Sequence, residues 1–299
     1  MAVGFWVMIV AVPVLIFFPV LRLTTLRALG RTYQCSLRQT LHSPATMRDF
    51  DLHFDAIKNS SRLLKSDDKI DLWHTRDGDF WIPKRNADTL FFNLAEQELD
   101  IYGTGAIGVQ AGDVVLDCGA NIGVFTRKAL DKGARTVIAI EPAPENLACF
   151  RRNFAREIET GQVVVRPVGV WNTAGELPLK IDAGNSASDS FVDVHSSVAS
   201  TVMVPLVTID SLVADLALAK VDFIKLDIEG AEKKALSGAA HVMARFHPRL
   251  AIATEHLPDD SVAIPAVIDS MRLGYVTVCG PCFDFRTIVQ PDVLYFIPG

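Results

Sequence analysis

The apolar positions along this chain fall into two regimes. From residue 112 onward, short β-branched runs alternate with longer stretches of helical period. Val114-Val115-Leu116-Asp117 is expected to be a buried strand, and Asn121 to Lys132 a helix that Gly133 ends. Thr136 to Glu141 forms a second expected strand. Pro144 opens a second helix with an apolar stripe at Leu147, Phe150 and Phe154. Val163-Val164-Val165, Val221 to Ile228 and Leu250 to Thr254 continue the strand series. Helices are expected from Glu229 and over residues 261–273, and closing strands at Tyr275–Val278 and Val293–Ile297. Residues 171–206 look like turns and short alternating strands. Strand alternating with helix predicts an α/β fold, a Rossmann-like, mostly parallel sheet with helices on both faces.

Upstream the pattern is different. Phe80-Trp81-Ile82 suggests a short strand, and Leu90 to Ile101 fits an amphipathic helix. Met1 to Leu21 contains no charged residue. About 20 apolar residues at ~1.5 Å rise cross a hydrocarbon core of roughly 30 Å. Pro13 and Pro19 are tolerated in such a helix. The expectation is therefore an N-terminal transmembrane helix. A cleaved signal peptide ending near Ala28-Leu29-Gly30 and a buried helix are the alternatives; against the first, no basic residue precedes the run, which also exceeds the usual ~7–15 residues. The expected organisation is an anchor (1–21), a basic stem (22–48), a cap or extension (49–110) and an α/β domain (111–299).

Charge adds to this division. Residues 1–48 hold five arginines (Arg22, Arg27, Arg31, Arg38, Arg48) and no acid, so the rest is more acidic than the whole-chain net charge of −6. Arginines placed only after the span predict a single-pass membrane protein with its domain in the cytosol. An acidic body suits nucleic acid poorly, and no nucleic-acid partner is expected. The five cysteines show no framework spacing, and no disulfide scaffold is expected. Cys279-Gly280-Pro281-Cys282 has the spacing of a redox pair but reads as a turn, because no helical pattern follows it.

Candidate chemistry collects at strand ends, where open α/β sheets bind ligands. The first end is Asp117-Cys118-Gly119-Ala120-Asn121-Ile122-Gly123. Its glycines permit a tight turn and close backbone approach. It lacks the G-x-G-x-x-G of a dinucleotide site, and its Asp117 suits a cationic ligand better than a pyrophosphate. Glu141 closes the second strand and could accept ribose hydroxyls. Together these describe S-adenosylmethionine, an adenosine ligand with a sulfonium and no phosphate. The fourth end is Lys225-Leu226-Asp227-Ile228-Glu229, whose alternation puts Lys225, Asp227 and Glu229 on one face. Such a triplet is a structural ion pair or an active site, and its place beside the glycine loop favours the site. The fifth end supplies Glu255 and His256.

These residues resemble the FkbM family of methyltransferases. The resemblance rests on Val115 to Gly123, on Glu141-Pro142 with Glu145-Asn146, and on Lys225 to Glu232. It spans roughly residues 95–299. It implies a class I Rossmann-like fold, S-adenosylmethionine as cofactor, and O-methylation of a hydroxyl on a sugar, glycan or small molecule. Cofactor positions would be Asp117, Gly119, Asn121, Gly123, Glu141 and Asp227. An alcohol must lose its proton during transfer, so a base is needed. Candidates are Asp227, Glu229, Glu255 and His256, with Lys225 only if burial lowers its pKa. Metal assistance by Asp227 and Glu229 is not established by the sequence, and no metal is assigned. A nicotinamide-dependent oxidoreductase and a non-catalytic, membrane-anchored binding domain are the alternatives.

Overall fold

The computed structural model describes residues 19–84, 86–182, 185–192 and 198–299. Two helices open it, α1 (Pro19–Ala28) and α2 (Leu37–Ser60). An antiparallel sheet follows, of β1 (Arg62–Ser66), β2 (Ile70–Thr75) and β3 (Gly78–Pro83), and then α3 (Ala87–Glu98). The alternating region starts with β4 (Val114–Cys118), α4 (Val124–Asp131), β5 (Thr136–Ile140), α5 (Pro144–Asn153), α6 (Ala155–Glu159) and β6 (Val163–Arg166). A small sheet of β7 (Gly169–Val170), β8 (Gly175–Asp182) and β9 (Val198–Val207) interrupts it. It resumes with α7 (Ile209–Asp215), β10 (Phe223–Leu226), α8 (Glu232–Ser237), α9 (Ala240–Phe246), β11 (Arg249–Ala253) and α10 (Asp260–Ser270). The chain closes with β12 (Tyr275–Cys279), the hairpin β13 (Cys282–Asp284) and β14 (Val289–Pro291), and β15 (Val293–Pro298).

The main sheet has seven strands in the order β12-β15-β11-β10-β4-β5-β6. The five strands from β11 to β6 run parallel, and β15 pairs antiparallel with both neighbours. The expected Rossmann-like α/β architecture is present. From β4 the chain grows outward to β5 and β6, then returns to place β10 on the other side of β4. That reversal leaves a crevice beyond the carboxyl ends of β4 and β10. Both faces are covered by apolar layers, one around Leu116, Ile138, Ile224 and Leu250, the other around Val115, Val137, Phe150 and Phe223. This is why the parallel strands read as continuous apolar runs. One helix starts later than the pattern suggests. Glu229 (φ 54°) and Gly230 (φ 91°) take left-handed turn geometry, so α8 begins only at Glu232.

The N-terminal expectation is corrected. Among the described residues no helix is long and apolar enough to cross a membrane. Most of the expected span, residues 1–18, lies outside the described residues. Its last residues, Pro19 to Leu21, open α1, which packs on the body through Leu23 and Leu26 against Cys35, Cys282 and Val289. The single-pass, cytosol-facing assignment rested on that span and falls with it. The flanking arginines serve the body instead. Arg22 pairs with Asp284 and donates to the Arg286 carbonyl, and Arg27 donates to the Cys35 carbonyl at 2.9 Å.

The basic stem is likewise folded. Ser36 and Gln39 form a reciprocal capping box that starts α2. Phe50 and Ile57 of α2 then pack with Phe80, Ile82, Leu90, Phe91 and Leu94. A disulfide joins Cys35 to Cys282 across 247 residues, against the expectation of none. Cys35 and Cys282 lie too far apart in sequence for spacing to signal their pairing.

The docking of α2 can be tested by stability. Ile57 is fully buried, and Ile57→Ala should cost about 2–5 kcal/mol. Urea unfolding should show that loss in one cooperative transition. A separate early transition of α2, with the main midpoint unmoved, would show an independent appendage instead.

Candidate active site

A cavity of about 680 Å³ opens at the sheet's reversal point, within the range of ~300–1,000 Å³ usual for small-molecule sites. Gly119, Ala120 and Asn121 follow β4, Glu141 and Pro142 follow β5, Asp227 to Glu229 follow β10, and Glu255 and His256 follow β11. The outer wall comes from Phe54 of α2, from α3 and from the segment Asn185–Asp189.

The floor is an ion cluster. Lys225 and Asp117 sit in register on β10 and β4, and both are essentially buried. The Lys225 ammonium lies 3.3 Å from Asp117 Oδ1 and 3.4 Å from Asp227 Oδ2, and donates to the Gly119 carbonyl at 2.9 Å. It also faces the ring of Tyr102. Burial opposes the charge on Lys225, but Asp227 and Asp117 outweigh it and hold the pKa above the ordinary lysine value. Lys225 is therefore a clamp on the loop, not the base that the sequence left open. Asp117 does not reach the cavity wall. Its Oδ2 accepts from the Thr126 hydroxyl at 2.6 Å, so its effect on a ligand passes through Lys225 and the loop.

The loop over this floor is tightly made. Gly119 (φ 80°) puts two successive N–H groups, its own and that of Ala120, on the Ile140 carbonyl at 3.0 Å each. A Cβ at Gly119 would stand 1.9 Å from the Asp227 carbonyl oxygen, so only glycine fits. Gly123 starts α4 in left-handed geometry, and a Cβ there would strike Phe154. It serves packing and does not line the cavity. Asn121 does line it, with φ 49°.

Glu141 is buried on the wall. It accepts from the backbone N–H groups of Asn121 and Ala143, at 2.8 Å each. Burial pushes its carboxyl up to about 7, against those hydrogen bonds, which lower it. Burial also raises Asp189 to about 8. Asn146 and Ser186 are buried beside Glu141, and Asn146 Nδ2 donates to the Ser186 carbonyl at 2.8 Å. Among the described residues, Asn146 Oδ1 and Ser186 Oγ have no hydrogen-bond partner. Buried orphans of this kind on a cavity wall suit a polar ligand.

The fourth and fifth strand ends meet at His256. Its Nδ1 is 2.9 Å from Glu232 Oε1, which also accepts from the Ile228 N–H at 2.9 Å. Its Nε2 faces Asp227 Oδ1 at 3.4 Å, Glu229 Oε1 at 3.5 Å and Glu255 Oε1 at 3.7 Å. Burial works against the imidazolium, but Glu232, Glu229 and Glu255 outweigh it and raise the pKa well above the ordinary histidine value. Asp227 is held low despite burial, by Lys225, His256 and a 2.6 Å hydrogen bond from the Tyr102 hydroxyl. Glu255 is raised by burial and by Asp292. Asp227, Glu229 and His256 bring potential ligand atoms within 4.8 Å of one another, as a divalent cation would require, but they already pair internally.

The structure thus gathers Lys225, Asp227, Glu229, Glu255, His256, Gly119, Asn121 and Glu141 at one cavity. It places Asp117 beneath that cavity and Gly123 behind it. Sequence reasoning missed Tyr102, Asp292 and the bracing role of Glu232. Only Glu232 carried a local signal, since it closes the Lys225 to Glu232 motif. The others lie far from it in sequence and meet it through the fold.

Comparison with known proteins fits this geometry. Residues 117–277 match the model of the methyltransferase FkbM domain. The 31-O-demethyl-FK506 methyltransferase FkbM of Streptomyces tacrolimicus is 26% identical over 193 residues, covering 56% of this chain and 73% of that protein. The crystal structure of methyltransferase FkbM from Methylobacillus flagellatus superposes with a TM-score of 0.50 at 20% identity, over 91% of this chain. The present chain spans 65% of that one's length, and the likeness speaks for the fold. The domain match covers more than half of the sequence, including the glycine loop, Glu141 and the cluster around His256, and the chain belongs to the FkbM methyltransferase family.

Proposed function

We propose that this protein transfers the methyl group of S-adenosylmethionine to a hydroxyl of a small-molecule or sugar-bearing acceptor. The observation that carries the proposal is the carboxylate-walled cavity at the sheet's reversal point. Burial holds several of its acids above their ordinary pKa values, Glu141, Asp189 and Glu255 among them. A cationic ligand relieves that cost, and a pyrophosphate adds to it. This disfavours a nicotinamide dinucleotide. The relative from S. tacrolimicus, named for a 31-O-demethyl substrate, supports oxygen as the methylated atom.

The residues present fit the cofactor. Gly119 lets the loop pass so close to the Asp227 carbonyl that no side chain fits there, which keeps bare backbone on the cavity wall. Glu141 would take ribose hydroxyls, and Asn146 Oδ1 and Ser186 Oγ, without hydrogen-bond partners among the described residues, would accept from the ligand. The cofactor supplies an electrophilic methyl on a sulfonium. Asp227 and Glu229 offset positive charge in the cavity. The acceptor would enter between Phe54 and Phe92 on one side and the Asn185–Asp189 segment on the other.

The base in this proposal is His256. Glu232 holds Nδ1, so the neutral ring offers Nε2 to the acceptor hydroxyl. Removing the hydroxyl proton by a placed histidine is worth typically 10²–10⁴-fold in rate. Lys225 and Tyr102 hold Asp227 in position. Aligning the two reactants supplies much of the rest, on the order of 7–11 kcal/mol.

Two measurements test this. Glu141→Ala should weaken S-adenosylhomocysteine binding by roughly 10- to 100-fold, as loss of charged hydrogen bonds implies. Calorimetry giving unchanged affinity would sink the cofactor site. The raised pKa of His256 keeps the base form scarce at neutral pH. Activity should therefore climb as pH rises above the ordinary histidine range. Glu232→Gln removes one of the carboxylates that raise His256 and should move that limb to lower pH. His256→Ala should abolish the limb with a loss of about 10²–10⁴-fold; an unchanged profile would remove His256 as the base.

A further inference from the structure

The three sulfurs of Cys35, Cys279 and Cys282 form one cluster, with potential ligand atoms within 4.8 Å of one another. Cys35 and Cys282 are joined in a disulfide, and Cys279 is a free thiol whose Sγ lies 3.7 Å from Cys282 Sγ. Cys279 ends β12, Cys282 starts β13, and only Gly280-Pro281 separates them. Two residues between cysteines is the spacing at which protein dithiols close local disulfides. Cys282 thus has two partners in reach, one distant in sequence and one local.

We infer that this cluster is a thiol–disulfide exchange site, in which Cys279 displaces Cys35 from Cys282 and so unfastens the N-terminal helices from the catalytic domain. The step balances without an outside oxidant or reductant. The Cys279 thiolate attacks Cys282 Sγ. The Cys279–Cys282 bond forms as the Cys35–Cys282 bond breaks. The electron pair leaves on Cys35, which takes up the proton that Cys279 released. One disulfide and one thiol are present before and after. Burial pushes the Cys279 thiol up to about 11, partly offset by a hydrogen bond from Gln39. The attacking thiolate is therefore scarce at neutral pH, and the clamped form persists until the corner opens.

The position of the cluster gives the exchange a consequence. Cys35 lies between α1 and α2, and the disulfide pins that junction to the β13–β14 hairpin. Phe50 of α2 packs on Phe283 of the hairpin and, at 4.7 Å between ring centres, on Phe92 of α3. Phe92 and Phe54 form the outer wall of the cavity. Exchange therefore loosens the wall through which the acceptor would enter. The chemistry stands whatever the cavity binds; only its effect on the acceptor rests on the function proposed above.

The test reads disulfide linkage and needs no activity. Cys35→Ser, equilibrated in a glutathione redox buffer and alkylated, should yield the Cys279–Cys282 linked peptide on non-reducing mass mapping. In the native chain, the same buffers at graded potential should yield that peptide together with alkylated Cys35. Cys279→Ser should show the Cys35–Cys282 linkage alone. Amide hydrogen exchange over Leu37–Ser60 should quicken by about tenfold or more when Cys35 is released, as local opening becomes easier. Absence of the Cys279–Cys282 peptide from both the variant and the native chain would overturn the inference. Exchange over Leu37–Ser60 that stays unchanged once Cys35 is free would overturn the unfastening.

Discussion

A buried ammonium must be paired, and the site is organised around that requirement. Lys225 sits at the centre of the sheet with almost no exposure. Taking its charge out of water is costly unless carboxylates and carbonyls surround it. Asp117, Asp227 and the Gly119 carbonyl meet the need from the ends of two adjacent strands. Satisfying one charge therefore ties β4 to β10, fixes the glycine loop and aims Asp227 at the cavity. Removing a partner would leave a charge unpaired as well as losing a contact.

A chain of dependence runs outward from that pair. Asp227 receives the Tyr102 hydroxyl and faces His256, and His256 is held from behind by Glu232. Glu232 also fixes the turn through the Ile228 N–H. The same few groups thus set backbone geometry and side-chain protonation. The convergence of parallel strand ends brings the acids of the wall to one cavity, and burial there raises Glu141, Asp189 and Glu255.

The N-terminal segment shows how far one-dimensional pattern reaches. An uncharged stretch followed by arginines satisfies the rules for a membrane span and its orientation. In the fold, Leu23 and Leu26 face Cys282 and Val289, and Arg22 meets Asp284. Those partners lie some 260 residues away. A basic stem and an arginine docked on an acidic residue of its own chain look the same in sequence.

The sequence by itself determined the alternating sheet, the positions of β4, β5, β6, β10 and β11, and the strand ends that carry the chemistry. Those features are local: buried parallel strands demand apolar runs, tight turns demand glycine, and the residues after each strand necessarily reach one edge. Tertiary structure alone decided which of these residues line the cavity. It put Asp117 beneath the floor and Gly123 against Phe154. It brought Tyr102, Ser186 and Asp292 to the site, and Cys35 to Cys282. Contacts between distant segments depend on how layers pack, and side-chain periodicity records only which face a residue occupies, not what it meets there.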